Sequence, residues 1–111
     1  MRSDRERLED IVEGCELLRR LVAPRLDELP RDETLELAAE RLIEIVGEAA
    51  SRVSAELRER HPEVDWRGPA NIRIVLAHRY FGIDRNIVRR AVEEDVPRLE
   101  QQIRTILEEL E

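Results

Sequence analysis

The sequence predicts an all-α fold, an up-and-down bundle of four or five helices that forms a single domain over residues 1–111. Apolar residues recur every three or four positions along most of the chain, which is the spacing of one helix face. Prolines, glycines and capping residues separate these stretches, and none of them shows the alternation of a strand. The composition agrees, because 41% of the residues are hydrophobic and 41% are charged, with only four glycines and five prolines.

The first helix is predicted to begin at Ser3, because Ser3 and Glu6 have the spacing of a capping box. An apolar stripe follows at helical spacing: Leu8, Ile11, Cys15, Leu18 and Val22. Pro24 lacks a backbone donor and disfavours helix at the residue before it, so the helix is expected to end near Ala23. The residues from there to Pro30 are expected to form a short connection.

The second helix is predicted to start at Asp32, a good N-cap residue. Its expected apolar positions are Leu35, Ala38, Leu42, Ile45, Ala49 and Val53. Gly47 lies among small residues and indicates either a close helix–helix approach or a weak point. Ser54 is expected to cap a short third helix, AELRERH, which stops before Pro62 and leads into the tight connector PEVDWRGPAN.

A fourth helix is predicted from about residue 69 to residue 81, and we call it the motif helix. Gly82 fits its C-terminal cap, and Asp84 fits the N-cap of the last helix. Pro97 falls inside that last helix, so a kink or a break is expected near Val96. The apolar positions of the last helix are Ile87, Ala91, Val92, Leu99, Ile103, Ile106 and Leu110.

The motif helix, NIRIVLAHRYFG, differs from the others because its apolar residues lie around most of its circumference. A bundle of this size can cover only part of such a helix, so a symmetric homodimer is predicted to cover the rest. Arg73, His78, Arg79 and Tyr80 are set into this apolar helix, where charged and polar side chains need a partner or a use.

Helical geometry indicates what these residues can do. Arg73 and Tyr80 share one stripe, about 10 Å apart, whereas His78 lies roughly 140° around the helix from Arg73. Two copies meeting across a two-fold axis would bring an arginine and a histidine to one cleft. Such a cleft supports RNA cleavage without a metal or cofactor, because the ribose 2′-hydroxyl is the nucleophile, histidine transfers protons and arginine holds the phosphate. DNA lacks this hydroxyl and is not an expected substrate.

The charge distribution leaves two interpretations open. The net charge is −7, yet residues 66–90 hold six arginines and one acid, so this stretch carries +5 and the remainder −12. The basic stretch can contact RNA, or the acidic helices can compensate it. On the second interpretation His78 is a core residue, and Arg73 pairs with a glutamate of the second helix: Glu40, Glu44 or Glu48.

These residues resemble a known family. Arg73, His78 and Tyr80 have the spacing of the Arg-x4-His-x-Tyr motif of HepT-like HEPN ribonucleases, and YFGID continues in the way usual for that family. The similarity extends over nearly the whole chain, through IVEGCELL, RLIEIVGEAASRVSAELRERHPEVDW and the final helix. The resemblance implies a HEPN-like homodimeric bundle that acts as the ribonuclease toxin of a toxin–antitoxin module.

The resemblance also implies roles for residues and partners. Arg73 and His78 would be the catalytic pair, and Tyr80 would bind substrate or accept AMP from a nucleotidyltransferase antitoxin. Arg79 and Arg85 would contact phosphate, and assembly with the antitoxin beyond the dimer is left open. The chain departs from the family pattern at Ile74, where Asn is common, and at Arg79, where Gly is common.

Two other functions compete with the ribonuclease. The chain would otherwise be a non-catalytic helical partner or nucleotide-binding subunit of a nucleotidyltransferase, which Ile74 and Arg79 favour, or a purely structural dimer. A cytoplasmic protein without a membrane span is expected, because no apolar run is long enough and Cys15, a predicted core residue, is the only cysteine. His61 is expected to cap helix carbonyls, and Trp66 to close one end of the bundle.

Overall fold

The computed structural model describes residues 2–69, 71–72 and 85–110, and the regular structure in them is helical throughout. This confirms the predicted all-α class. In chain order the elements are α1 (Asp4–Leu17), a π-turn (Leu18–Val22), a 3₁₀ segment (Ala23–Arg31), α2 (Glu33–Arg52), α3 (Ala55–Arg60), α4 (Arg85–Arg90), a second π-turn (Ala91–Asp95) and α5 (Val96–Glu109). Residues 67–69 and 71–72 are helical as well, at the start of the predicted motif helix.

The predicted starts of the first three helices are confirmed by their capping bonds, whereas the predicted caps Gly82 and Asp84 lie outside the described residues. In α1, the Ser3 hydroxyl accepts from the backbone N–H of Glu6 at 3.1 Å, and the Glu6 carboxylate accepts from the Ser3 N–H at 3.1 Å. The α2 helix starts with Asp32 accepting from a first-turn N–H at 3.0 Å, and α3 starts with Ser54 doing so at 3.2 Å. Each cap satisfies a donor that the helix cannot satisfy internally.

Both long helical runs widen into a π-turn directly before a proline. The N–H groups of Ala23 and Val96 each donate to the carbonyl five residues earlier, and Pro24 and Pro97 follow them. A proline ring in a helix crowds the carbonyl four residues earlier, and a wider turn moves that carbonyl away. The irregularity predicted near Val96 is therefore present, and it takes the form of a π-turn.

The stretch predicted as a short connection between the first two helices is instead a 3₁₀ segment, Ala23–Arg31. It is interrupted at Arg25, whose φ of −122° and ψ of 21° are not helical. Leu26 and Leu29 are buried, so the segment belongs to the core. The prediction missed this because the prolines at both ends signal a break, while a 3₁₀ turn tolerates them near its ends.

Helices α1 and α2 run antiparallel, since the start of one lies beside the end of the other. Asp4 accepts a hydrogen bond from the Ser54 N–H at 2.9 Å and a second one from its hydroxyl. Ten residues further along α1, a Cβ built on Gly14 would lie 2.6 Å from Cγ2 of Val46. The close helix approach that the sequence suggested at Gly47 is thus found at Gly14.

Helix α5 packs antiparallel to α1 through a buried carboxylate. Glu100 is 7% exposed and accepts hydrogen bonds from Arg19 at 3.1 Å and from Arg104 at 2.9 Å. Arg104 also lies 3.5 Å from Glu16 of α1. Burial disfavours the charged form of Glu100, but the hydrogen bonds from the two arginines outweigh it and hold the pKa of this carboxyl below its usual value.

Replacing Glu100 with Gln is expected to lower the free energy of unfolding by about 1 kcal/mol at neutral pH, because both arginines are half exposed and solvent screens the pairs. A carboxyl with a lowered pKa stabilises the fold above its ordinary pKa of 4.5 and loses that contribution as the pH falls further. The difference between wild type and Glu100→Gln should therefore shrink below about pH 4.5 in denaturant titrations. The exposed Glu108→Gln serves as the control, and a difference that is unchanged between pH 7 and 3 would contradict this account.

The core confirms one predicted helix face and corrects another. The α1 stripe is completely buried over Leu8, Ile11, Cys15, Leu18 and Val22. On α2 the predicted positions Leu35, Ala49 and Val53 are buried, but the middle of the face is displaced by one residue. Ala38 is exposed and Leu42 and Ile45 are half-buried, whereas the residues that follow them are buried: Ala39, Ile43 and Val46. Adjacent apolar residues on α2 made both faces possible. Leu110 was also predicted in the core, but it is 42% exposed.

Within residues 2–69, 71–72 and 85–110, no helix has the length and apolar character needed to cross a membrane.

Candidate functional site

Four of the predicted site residues lie outside the described part of the chain: Arg73, His78, Arg79 and Tyr80. Arg85 is the first residue of α4, and its side chain is likewise outside the description. Their convergence therefore stays a prediction. The structure describes the segments on both sides of them, which are the helical residues 67–69 and 71–72 before the motif and helix α4 after it.

A hydrogen-bonded turn leads into this helix. We call residues 61–68, which comprise the turn and the first two helical residues, the Trp66 corner. The Trp66 indole N–H donates to the carbonyl of His61 at 2.9 Å, and the Val64 N–H donates to the same carbonyl at 3.2 Å. Trp66 is 8% exposed and Val64 is 4% exposed. The predicted burial of Trp66 is confirmed, and its only polar atom is satisfied, as a buried indole requires.

Asp65 and Gly68 join this corner to the helix. The Asp65 carboxylate accepts a hydrogen bond from the backbone N–H of Gly68 at 2.9 Å, and helical residues begin at 67. A Cβ on Gly68 would lie 2.2 Å from the second carboxylate oxygen of Asp65, so a larger residue would have to displace the Asp65 side chain from this position. The helix was predicted to start about two residues later, because Pro69 was taken as the boundary. The Asp-x-x-Gly spacing was the signal that could have located this cap.

The corner is also tied to α5, and His61 contributes differently from the prediction. Its ring nitrogens lie 3.1 Å from the Glu63 carboxylate and 4.0 Å from that of Glu109, so the ring pairs with acids instead of capping helix carbonyls. The pKa of the Glu63 carboxyl is lowered, first by a hydrogen bond from the backbone N–H of Glu63 itself and then by the hydrogen bond with the His61 ring. The Glu63 carbonyl accepts from the side chain of Gln102 at 3.1 Å.

A cavity of about 110 Å³ lies between the helix start and the bundle. Its walls include Gly68 and Ile72 from the helix start, Val46 from α2, and Val96 and Leu99 from α5. A cavity wall lacks van der Waals partners on its open side, so it is held less firmly than a packed surface. The first residues of the motif helix therefore depend in part on the corner for their position.

The basic stretch is partly neutralised where it is described. Arg89 donates to Asp27 at 2.6 Å and to Glu93 at 2.8 Å, and these hydrogen bonds raise the pKa of Arg89. Arg90 lies 3.4 Å from Glu94. The interpretation of charge compensation thus applies to the end of the stretch, within α4.

The glutamates that the sequence offers as partners of Arg73 differ in burial. Glu40 is 6% exposed, whereas Glu44 and Glu48 are half-buried. Glu44 lies 3.6 Å from Arg41, and Glu48 accepts from Arg52 on the same helix. A buried carboxylate is costly unless it is paired. A pairing of Arg73 with any of these three glutamates stays a prediction.

Two further residue predictions concern the cysteine and metal binding. Cys15 is completely buried, and burial, with a smaller contribution from Glu100, raises the pKa of its thiol to about 12. The predicted role of Cys15 as a small core hydrophobe is confirmed, since such a thiol stays protonated at neutral pH. The described residues contain no group of three histidines, cysteines or acids placed to hold a metal ion.

Comparison with known proteins places residues 11–106 in the family model described as Ribonuclease HepT-like. The chain is 35% identical over 109 residues to a candidate RNase of Caldanaerobacter subterraneus subsp. tengcongensis, with 97% of each chain covered. It is 35% identical over 99 residues to a candidate ribonuclease HepT of Thermococcus cleftensis, covering 88% of this chain and 90% of that one. A candidate RNase of Methanocaldococcus jannaschii is 32% identical over 80 residues, covering 72% and 73%. No solved structure gives a significant match.

Proposed function

The chain belongs to the HepT-like family of ribonucleases, and from this premise we propose that it is a metal-independent endoribonuclease toxin that acts as a homodimer. The observation that carries the proposal is the motif Arg73-x4-His78-x-Tyr80, which lies inside the family match over residues 11–106. The helical residues directly before Arg73 support it, because the predicted motif helix begins there.

The proposed reaction is an intramolecular transesterification of RNA. A ribose 2′-oxygen attacks the adjacent phosphorus, the bond from phosphorus to the 5′-oxygen breaks, and a 2′,3′-cyclic phosphate remains. His78 takes the proton of the 2′-hydroxyl or delivers one to the departing 5′-oxygen, and the two-fold axis would supply one histidine for each task. Arg73 binds the phosphate and stabilises the charge that develops on its oxygens. Arg79 and Arg85 would contact neighbouring phosphates.

The proposed regulation acts on Tyr80. A nucleotidyltransferase antitoxin would transfer AMP from ATP to the phenolic oxygen and release pyrophosphate. The added phosphate would place bulk and negative charge on the stripe that Tyr80 shares with Arg73, where the substrate phosphate is expected. Binding of RNA would then be opposed by both sterics and charge repulsion.

The direct test is incubation of the purified chain with a defined single-stranded RNA in excess EDTA, beside an oligonucleotide of the same sequence made of DNA. We expect the RNA to be cut to products ending in 2′,3′-cyclic phosphate and the DNA to stay intact. Loss of cleavage on chelation, or equal cutting of the DNA, would overturn the metal-independent mechanism.

The alternative function is a non-catalytic partner of a nucleotidyltransferase. Ile74 and Arg79 favour it, because they replace the Asn and Gly that are common at these motif positions. In the same assay this alternative predicts RNA or nucleotide binding without cleavage. Restoring the common residues by Ile74→Asn and Arg79→Gly would then be expected to produce cleavage where the natural chain has none.

A further inference from the structure

We propose that Asp65 is a positioning residue that sets the start of the motif helix and, through it, the placement of Arg73. The consequence for catalysis rests on the proposed function, whereas the consequence for the helix does not. Asp65 itself lies eight positions before Arg73 and is not expected to touch RNA. Its role follows from three features of the Trp66 corner.

The first feature is the bond between the corner and the helix. The Asp65 carboxylate accepts from the Gly68 N–H at 2.9 Å, in the first turn of the helix. A first-turn N–H has no acceptor within the helix, so an outside acceptor fixes where the helix begins. Gly68 has no Cβ, so the Asp65 carboxylate approaches its N–H without being displaced.

The second feature is the rigidity of the support on which Asp65 sits. Its neighbours Val64 and Trp66 are both buried, and the indole of Trp66 is hydrogen-bonded to the His61 carbonyl. Gln102 of α5 holds the carbonyl of Glu63 at 3.1 Å. The carboxylate of Asp65 is thus attached to the bundle through side chains on both sides of it, and it can transmit that position to the helix.

The third feature is the cavity beneath the helix start. A cavity of about 110 Å³ is lined by Gly68, Pro69 and Ile72 on one side and by core side chains of α2 and α5 on the other. Ile72 also packs against the core, but the cavity walls lack neighbouring atoms and gain no dispersion energy there. The hydrogen bond from Gly68 to Asp65 therefore carries more of the positioning than a cap on a fully packed helix would.

The test compares two caps of the same kind. Asp65→Ala removes the acceptor at the motif helix, and Asp32→Ala removes the equivalent acceptor of α2, which bonds the Leu35 N–H at 3.0 Å. Asp65→Asn keeps an acceptor oxygen and is the conservative variant. Hydrogen–deuterium exchange of peptides covering residues 66–81 and 33–52 is measured for all three, together with kcat and KM for RNA cleavage.

For Asp65→Ala we expect exchange over residues 66–81 to become about fivefold faster, with residues 33–52 unchanged, and Asp32→Ala to show the reverse. We expect Asp65→Ala to lower kcat by about tenfold to a hundredfold with a smaller change in KM, because misplacement of the motif affects the reaction more than RNA binding. Asp65→Asn should restore both values.

Two results would overturn the proposal. One is unchanged exchange over residues 66–81 in Asp65→Ala, and the other is an equal loss of kcat in Asp65→Ala and Asp32→Ala, which would indicate general destabilisation. If the wild-type chain cuts no RNA, the proposed function fails, and the exchange measurements still decide whether Asp65 positions the helix.

Discussion

The His78→Ala variant is expected to lose RNA cleavage by at least about a hundredfold while it stays folded and dimeric. A positioned general acid or base contributes about 10² to 10⁴ in rate, and the imidazole has no substitute in alanine. The measurements are the cleavage rate under single-turnover conditions and the mass in sedimentation equilibrium. Because binding is expected to depend on the arginines, RNA affinity should change far less than the cleavage rate.

The chain provides its own matched control, since it contains only one other histidine. His61 lies in the Trp66 corner, where its ring faces Glu63 and Glu109 and its carbonyl, which alanine retains, accepts from the Trp66 indole. His61→Ala is therefore expected to keep nearly full cleavage. Full activity in His78→Ala, or an equal loss in both variants, would remove the histidine from the mechanism.

The Gly14→Val variant is expected to be less stable than wild type by about 2–3 kcal/mol. A Cβ at Gly14 would lie 2.6 Å from Cγ2 of Val46, and both residues are buried between α1 and α2. The helices must therefore separate or the valine must leave its rotamer, and such overpacking has a cost of this size. Chemical denaturation followed by circular dichroism gives the difference in the free energy of unfolding.

The cause of that loss can be isolated with Val46→Ala. On its own this variant is also expected to destabilise the fold, because it leaves a cavity in the core. In the double variant the smaller side chain gives room to the new valine, so the combined loss should be well below the sum of the two single losses. Simple additivity would show that the contact between Gly14 and Val46 does not limit the packing.

Several elements could be predicted from local sequence signals. The capping box at Ser3 and the caps at Asp32 and Ser54 all form, because each is decided by groups within three residues. The stripe on α1 is completely buried, since its apolar residues recur every three or four positions along one face. The proline at residue 97 likewise produced a local irregularity where it was expected.

Other features could not be predicted, because distant residues decide them. The middle of the buried face of α2 is displaced by one residue from the predicted face, since Ala38 and Ala39 are equally apolar and only tertiary packing distinguishes them. A glutamate such as Glu100 would be expected at the surface, yet it is buried. Its carboxylate accepts a hydrogen bond from Arg19, which lies more than eighty positions earlier and offsets the cost of burial. The candidate site itself stays a prediction, because Arg73, His78 and Tyr80 lie outside the described part of the chain and the proposed site needs a second copy of it.

By itself the sequence determined the all-α class, the starts of the first three helices and the motif that pointed to the family. These features depend on hydrogen bonds and on hydrophobic periodicity between residues that are close along the chain, so the sequence contains the information needed to predict them. Only the tertiary structure decided which face of α2 is buried, that Gly14 makes a close contact, and that a cavity lies beside the helical residues that follow the Trp66 corner. These features depend on contacts between atoms of different helices. The spacing of residues along the chain does not give the distances between those atoms.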